Sequence, residues 1–513
     1  MKRQIVITGS ILITFLTGCS FSSEGQSGPT EEEPNVIFIF PDQYRNSSLG
    51  IWSRAEYAGH LQGEGDPVST PALDKMAEKG VVFNQAVSNF PLCSPYRAML
   101  ISGMYPSRNG VDANCRKDRK SSLKTEIEGV TDVFAKNGYE VSYFGKVHWL
   151  KNEPLFDESG TYQGTTDPPG GHYINNYDTY LPPGSDRHSI GYFYQVLKDD
   201  HFNPLVYSND PKLIEGKQDG ELHMPGRFNA EIESEAIIKY LDNSHGQRNT
   251  DKPFFMIWSL NPPHNPWTEE STKMEYFDQY TEGGEVNLAN LLTHKNADPA
   301  VGHYAPYYFA NVSAVDYYIG KVLEKLEALD LDDNTIIVFS SDHGEMLGSH
   351  GKEGKNVPEM ESLNIPFVIK WGDRLKPRVE DRIVNVPDVM PTLLGLAGLE
   401  KSIPRSVQGS DFSNLVLDPQ SNEPKPEAAL IMGYRYRGLF TGKYTFVVEE
   451  KKGEITKKYC YDNENDPYQL SKIDTKSLDG SLEKYFKTKL VDLLKETGDK
   501  WVAKKVGSNY LAY

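Results

Sequence analysis

The sequence predicts an α/β fold: three layers, α/β/α, around a central mixed, mostly parallel sheet, with a small C-terminal α+β unit after it. Three observations lead there. Continuous apolar runs, suited to strands covered on both faces, alternate with stretches that are apolar at helical spacing. After about residue 425 the pattern changes to short strands separated by glycine and charged turns. The length of 513 residues exceeds one small core, yet one large sheet with an appendage can absorb it.

The first apolar run is Asn35-Val-Ile-Phe-Ile-Phe40, rich in β-branched and aromatic residues. Pro71–Lys79, with Leu73, Met76 and Ala77, is a helix. Cys93-Ser94-Pro95-Tyr96-Arg97 opens another, since Pro95 fits a first turn and Gly103 ends it. Val130–Asn137 is helical and Glu140–Phe144 extended. Residues 151–230 are rich in Asp, Tyr, Gly and Pro, with weak periodicity; they read as a long insertion that shapes a substrate site. A helix over Ala230–Leu241 and a strand over Pro253–Ser259 come next. The clearest helix is Tyr307–Leu329, where Val312, Val315, Tyr318, Ile319, Val322 and Leu323 recur at helical spacing. Thr335–Ser340 and Pro366–Lys370 complete five strands for the large sheet. Leu430–Tyr434, Tyr444–Val448 and Lys457–Tyr461 form the small antiparallel sheet, and Ser481–Thr497 a last helix.

The composition is that of a folded globular protein, 38% hydrophobic and 25% charged. A net charge of -18 argues against nucleic acid, whose phosphates need a basic footprint. An anionic substrate would need a local basic pocket. Lys2 and Arg3 precede an apolar stretch from Ile5 to Leu16, too short to span a membrane and suited to export. It ends Leu16-Thr17-Gly18-Cys19, which resembles the bacterial lipoprotein box. Residues 1–18 are then a leader, Cys19 the lipidated N-terminus, and 19–33 a Ser/Gly/Glu-rich flexible tether. The division of the rest is 34–424 for the large domain and 425–513 for the C-terminal unit. With Cys19 lipidated, Cys93, Cys115 and Cys460 remain; Cys115 and Cys460 either pair in an oxidising compartment or both stay free.

Two apolar runs end in acid, as Asp42-Gln43 and as Asp342-His343-Gly344-Glu345. Ligands bind beyond the carboxyl ends of parallel strands. Asp42 and Asp342 would there offer oxygen to a hard divalent cation, with Gln43 adding a neutral oxygen and His343 an imidazole. Cys93 and Arg97 are four apart on one helix face, at an N-terminus that welcomes anions. Lys146 and His148 alternate on an extended segment and so point the same way.

The Cys93-x-Pro95-x-Arg97 pattern resembles the sulfatase family of the alkaline-phosphatase superfamily, in which C-x-P-x-R directs oxidation of the cysteine to formylglycine. Phe83–Val87, Ser102–Pro106, Asp388–Leu394 and Tyr461–Leu470 resemble the family as well, in its order, from Pro34 almost to Leu470. Gly145-Lys146-Val147-His148 is similar to its G-K-x-H, and Asn261-Pro-Pro-His264-Asn-Pro to its P-H-x-P. Gly354-Lys355 is similar to the segment of its second catalytic lysine; spacing to Pro366 favours Lys355 over Lys352.

The resemblance implies an alkaline-phosphatase-like fold and a catalytic set of Cys93, Arg97, Lys146, His148, His264 and Lys355. It implies a metal set of Asp42, Gln43, Cys93, Asp342 and His343 around one divalent cation, Ca²⁺ first, with Mn²⁺ or Mg²⁺ as alternatives. A hydrated formylglycine attacks sulfur while the cation favours its ionised hydroxyl, and the ester oxygen leaves toward His264. The second hydroxyl, deprotonated by His148, then expels sulfate. The implied partners are a sulfated carbohydrate outside the cell, the maturation enzyme that makes formylglycine, and a bacterial membrane met only through the lipid anchor. Many relatives have Asp in place of Gln43 and Asn in place of His343. The combination found here also occurs in phosphonate monoester and phosphodiester hydrolases, which is the same-class alternative. A glycan-binding surface lipoprotein without catalysis is the other.

Overall fold

The computed structural model describes Met1 and residues 33–116, 119–150, 178–197, 201–452 and 454–501. The leader beyond Met1, Cys19 and the tether up to residue 32 lie outside the described residues. From Glu33 onward the described residues build two sheets. The larger has nine strands: β1 Asn35–Ile39, β2 Val81–Val87, β3 Glu140–Gly145, β4 Tyr192–Leu197, β5 Leu205–Ser208, β6 Phe254–Ser259, β7 Thr335–Phe339, β8 Val368–Trp371 and β9 Arg378–Asn385. Their order is β5-β4-β3-β6-β1-β7-β8-β2-β9. β4, β3, β6, β1 and β7 run parallel, as do β2 and β9; β8 is antiparallel to both neighbours and β5 to β4.

Every residue of β1, β6 and β7 is buried, because helices cover both faces of the sheet. On one face Ile37, Ile39 and Met256 pack against Leu73, Ile237, Val312, Val315 and Ile319, from helices Pro71–Glu78, Asn229–Leu241 and Ala305–Ala328. On the other, Val36, Phe38 and Phe255 meet Tyr96, Met99, Phe134, Val389 and Leu393, from helices Cys93–Ser102, Val130–Lys136 and Val386–Leu396. The sheet is thus the middle layer of three.

The smaller sheet is wholly antiparallel and keeps chain order: β10 Ala429–Met432, β11 Tyr436–Phe440, β12 Tyr444–Lys451, β13 Glu454–Asp462 and β14 Ile473–Asp474. Phe486, on the helix Gly480–Thr497, stacks on Phe446 at 5.1 Å. On the opposite face Ile431, Val447 and Tyr461 meet Met360 and Leu363 of the large domain.

One expectation changes, and one left open is decided. The region 151–230 is not solely an insertion: β4 and β5 lie within it and extend the large sheet beyond β3. Aromatic strands set among Asp, Gly and Pro carry little periodic signal, which hid them. Cys115 and Cys460 are both buried free thiols. β2 and β9 also join the sheet unannounced, since each mixes polar residues such as Asn84, Gln85 and Asp381 into its run.

Strand register brings four strand ends to one place. Ile39 pairs with Phe339 and Trp258, and Gly145 with Ser259, so β1, β3, β6 and β7 end together. Gly145 is required there: its φ is +97°, and a Cβ would fall 2.0 Å from the Ser259 carbonyl oxygen.

Candidate active site

Asp42, Lys146, Asn261 and Asp342 all leave the sheet at that shared end. The helix Cys93–Ser102 aims its N-terminus at them and is closed by Gly103 at φ +63°. Arg97 is fully buried, and its guanidinium ties the centre together. Nη2 donates to Asp42 Oδ2 (3.0 Å) and Asp342 Oδ2 (3.1 Å), while Nη1 donates to the Lys146 carbonyl (2.8 Å) and to Ser259 Oγ. The group also lies 4.9 Å from the Phe40 ring centroid.

Cys93 Sγ is 3.4 Å from His343 Nε2 and 3.8 Å from Asp42 Oδ1. His343 Nε2 is 3.6 Å from Oδ1 of both Asp42 and Asp342. Ligand atoms of Asp42, Cys93, Asp342 and His343 all lie within 4.8 Å of one another. The donor set fits a cation on two grounds. Asp42 and Asp342 are both fully buried; burial, then the charge of Asp42, pushes Asp342 up to about 7, a conflict that a cation relieves. Burial, with Lys355 nearby, holds His343 well below its ordinary value. Its Nδ1 lies 3.0 Å from the Gly344 carbonyl, which assigns the proton to Nδ1 and leaves the Nε2 lone pair facing the acids.

Cations form the opposite wall. Lys146 Nζ lies 2.9 Å from Asp42 Oδ2 and 3.4 Å from Asn261 Oδ1. Lys355 Nζ is 2.9 Å from His264 Nε2 and donates to Gln43 Oε1. Burial would raise Asp42, but Lys146, His264, Arg97 and His343 hold it well below the usual carboxylate range. His264 Nδ1 faces the Asn265 carbonyl at 2.8 Å, which turns Nε2 inward, 4.0 Å from Asp42 Oδ1. Gln43 (φ +65°) gives its backbone N–H to Asp342 Oδ1 (3.0 Å) and its amide N–H to Glu345, while its amide oxygen accepts from Lys355. Lys352 instead pairs with Glu359 at 2.7 Å. The local basic pocket asked of an acidic chain is therefore present.

His148 stands one step back. Its Nε2 is 3.3 Å from the Cys115 carbonyl; the Cys115 N–H donates to Ser94 Oγ (3.0 Å), beside Cys93. Its backbone N–H donates to Asp178 Oδ1 (3.2 Å), a carboxyl that burial pushes up to about 7. Asp178, Ser259 and Glu345 were given no part by the sequence; each acts through a contact with a residue far along the chain. Only Ser259 had a usable signal, as the last residue of a buried run.

The sulfatase family model matches residues 34–399. The chain belongs to the sulfatase family. It is a hydrolase of sulfate esters. A second model, the C-terminal part of N-sulphoglucosamine sulphohydrolase, matches residues 348–496 of this sulfatase. Relatives include an endo-4-O-sulfatase of Bacteroides thetaiotaomicron, 36% identical across 96% of this sulfatase and 99% of that protein. An ulvan-active sulfatase of Formosa agariphila is 30% identical, covering 93% and 84%. A solved 4-sulfatase from work on glycosaminoglycan metabolism by Bacteroides thetaiotaomicron superposes with a TM-score of 0.85 at 36% identity, over 94% of this chain and all of that one. The phosphonate monoester hydrolase of Agrobacterium radiobacter shares the fold, with a TM-score of 0.63 at 19% identity over 92% and 97% of the two chains. The family is metal-dependent, and the four buried donors are where this sulfatase could hold its ion.

Proposed function

We propose that this sulfatase removes sulfate from a sulfated polysaccharide, or its oligosaccharides, outside the cell, through a formylglycine that a maturation enzyme makes from Cys93. The observation that carries this reading is the convergence of Asp42, residue 93, Asp342 and His343 with Arg97, Lys146, His264 and Lys355 in one centre. The endo-4-O-sulfatase and ulvan-active relatives support the substrate class. Burial and Asp42 push the Cys93 thiol up to about 12, so at neutral pH it is a protonated thiol and a poor nucleophile.

Asp42, Asp342, His343 and residue 93, with Gln43 alongside, would hold the cation, Ca²⁺ in this reading, which when bound would offset the buried carboxylates and favour ionisation of a hydroxyl on hydrated residue 93. Lys146 and Lys355 face the sulfate, Arg97 adds its charge from beneath Asp42 and Asp342, and together they stabilise the charge that grows on it. His264 acts as the imidazolium: Nδ1–H stays anchored on the Asn265 carbonyl, and Nε2–H gives its proton to the departing ester oxygen. The sulfate is then carried by residue 93. His148 takes the proton of the remaining hydroxyl, the aldehyde re-forms, and sulfate leaves.

Peptide mass spectrometry at residue 93, with turnover of glycosaminoglycan, carrageenan and ulvan fragments, 4-nitrophenyl sulfate and a phenylphosphonate ester, tests the reading. An aldehyde and release of sulfate from one of the glycans is the expected outcome. A retained thiol in fully active protein refutes the mechanism; faster phosphonate cleavage moves the enzyme to the phosphonate monoester hydrolases. We further propose a cleaved leader and a lipid on Cys19, supported by the Leu16–Cys19 pattern. Labelled palmitate should enter the wild-type chain and not Cys19→Ser.

A further inference from the structure

A trough runs along the C-terminal sheet, with one end near the loop that carries Lys355. At that end lie Lys352 and Asn356 of the same loop. Tyr434 stands there too, 46% exposed. Its hydroxyl accepts from Arg119 (2.7 Å) and from the Asn114 N–H (3.4 Å), and Asn114 Oδ1 accepts from the Ser94 N–H, next to Cys93. A cavity of about 600 Å³ runs from that point between the 352–359 loop and strands β11–β13. A second, of about 450 Å³, continues along β13, where β14 pairs only with Tyr459 and Cys460. The two share Thr456, Lys457, Tyr459 and Lys472, so they form one channel.

Its charge is opposite to that of the whole chain. Seven lysines and arginines line it against four carboxylates, on a protein of net charge -18. All four carboxylates are engaged: Glu359 by Lys352, Glu449 by the Tyr459 hydroxyl (2.8 Å) and by Lys457 (3.6 Å), Glu450 by Trp501 Nε1 (3.2 Å) and Asp474 by the Lys476 N–H (2.9 Å). Lys472 lies 4.2 Å from the Tyr459 ring centroid, and neither it nor the exposed Arg435 is ion-paired among the described residues. Burial lowers Lys472 despite the opposing pull of Glu359 and Glu449, and Lys352 and Lys457 add to the lowering. An anion lying between Lys352, Lys457 and Lys472 would be attracted by all three.

We propose that this trough binds the anionic polysaccharide beside the sulfate being removed, with Lys457 and Lys472 holding neighbouring sulfates or carboxylates and the exposed Tyr434 offering a flat face to a sugar ring. The inference rests on the polysaccharide reading above and extends it to action within a chain. A linear polyanion suits a concave channel whose Tyr434 end is tied through Asn114 to Ser94, next to Cys93; an anionic membrane would meet a flat or convex face.

The test is the full-length double variant Lys457→Glu/Lys472→Glu, with Lys457→Gln/Lys472→Gln beside it. On a size-defined decasaccharide of the glycan that the wild type cleaves best, the Glu variant should raise KM about tenfold, the Gln variant less, with kcat nearly unchanged. Kinetics on 4-nitrophenyl sulfate should not move, and added salt should raise the decasaccharide KM of the wild type more steeply than that of either variant. Equal decasaccharide KM in wild type and variants overturns the proposal, as does an equal loss on both substrates. Weaker binding to phosphatidylserine vesicles with an unchanged decasaccharide KM overturns it in favour of a membrane face. A wild type that cleaves 4-nitrophenyl sulfate and no oligosaccharide sinks the substrate reading itself and the trough with it.

Discussion

Replacing Arg97 by lysine isolates the geometry of the centre from its charge. The guanidinium holds Asp42 and Asp342 at 3.0 and 3.1 Å with one nitrogen and the Lys146 carbonyl at 2.8 Å with another. One ammonium on a different arm cannot reach all three. A hydrogen bond to a charged partner contributes about 1.5–3 kcal/mol, so losing one carboxylate contact and the carbonyl contact costs about 3 kcal/mol of folding stability. Arg97→Met removes the counter-charge from two fully buried carboxylates and should cost more, about 3–5 kcal/mol. Activity should fall further than stability, by at least about 100-fold in kcat/KM on 4-nitrophenyl sulfate, because a fixed charge beside the sulfate is lost in the transition state. Arg97 also belongs to the pattern that the resemblance assigns to the maturation enzyme, so the aldehyde fraction at residue 93 must be measured in the same sample and turnover expressed per aldehyde. Denaturant unfolding supplies the stability. Arg97→Lys protein with wild-type stability and per-aldehyde activity within about threefold of wild type would falsify the assignment of Arg97 as the organising cation.

Three further outcomes are expected. His264→Ala should lose roughly 10²–10⁴-fold on a sugar sulfate and far less on 4-nitrophenyl sulfate, whose leaving group needs no proton; equal losses on both would remove His264 as the acid. In Cys93 protein made without the maturation enzyme, Ca²⁺ at about 100 times its Kd should raise unfolding stability by about 2.7 kcal/mol, and Asp342→Asn should abolish the effect; calorimetry that sees no Ca²⁺ response argues against the four-donor site. Glu233 is fully buried, accepts from Trp258 Nε1 at 2.8 Å, and is pushed by burial to about 8. The folded state therefore keeps a proton that the unfolded state releases above the ordinary carboxylate value. Stability from this group is complete in acid and is lost as pH rises through about 8, by roughly 4 kcal/mol between about pH 5 and pH 9. Glu233→Gln should flatten that slope, and an unchanged slope rejects it.

How much the sequence revealed depends on the range over which each signal is set. β1, β6 and β7 are legible because burial on both faces writes an unbroken apolar run into local sequence. β2 and β9 are not, because their polar positions obey neighbours that arrive later in the chain. The same holds in the centre. Cys93 and Arg97 share a helix turn, so their common face is a local fact. That Gln43 spends its amide on Glu345 and Lys355 is fixed across some three hundred positions and leaves no local trace. Lys355 and Lys352 sit three apart on one loop, and only the fold turns one to His264 and the other to Glu359.

Two charge problems have to be solved together in this molecule. Asp42 and Asp342 must be buried within bonding reach of one ion, and a chain of net charge -18 must still attract an anion to them. Parallel register does the first, by ending β1 and β7 side by side, and Arg97 makes the pair tolerable from beneath. Screening helps with the second. Beyond about 8–10 Å at moderate salt the surface carboxylates are largely hidden from an approaching polymer, so what it meets is local. Near the centre that is Lys146, Lys355 and His264; farther out it is the lysines of β13 and Lys472. Overall charge is therefore a poor guide to the partner of such an enzyme, since the groups that decide capture are a small, clustered minority of the ionised side chains.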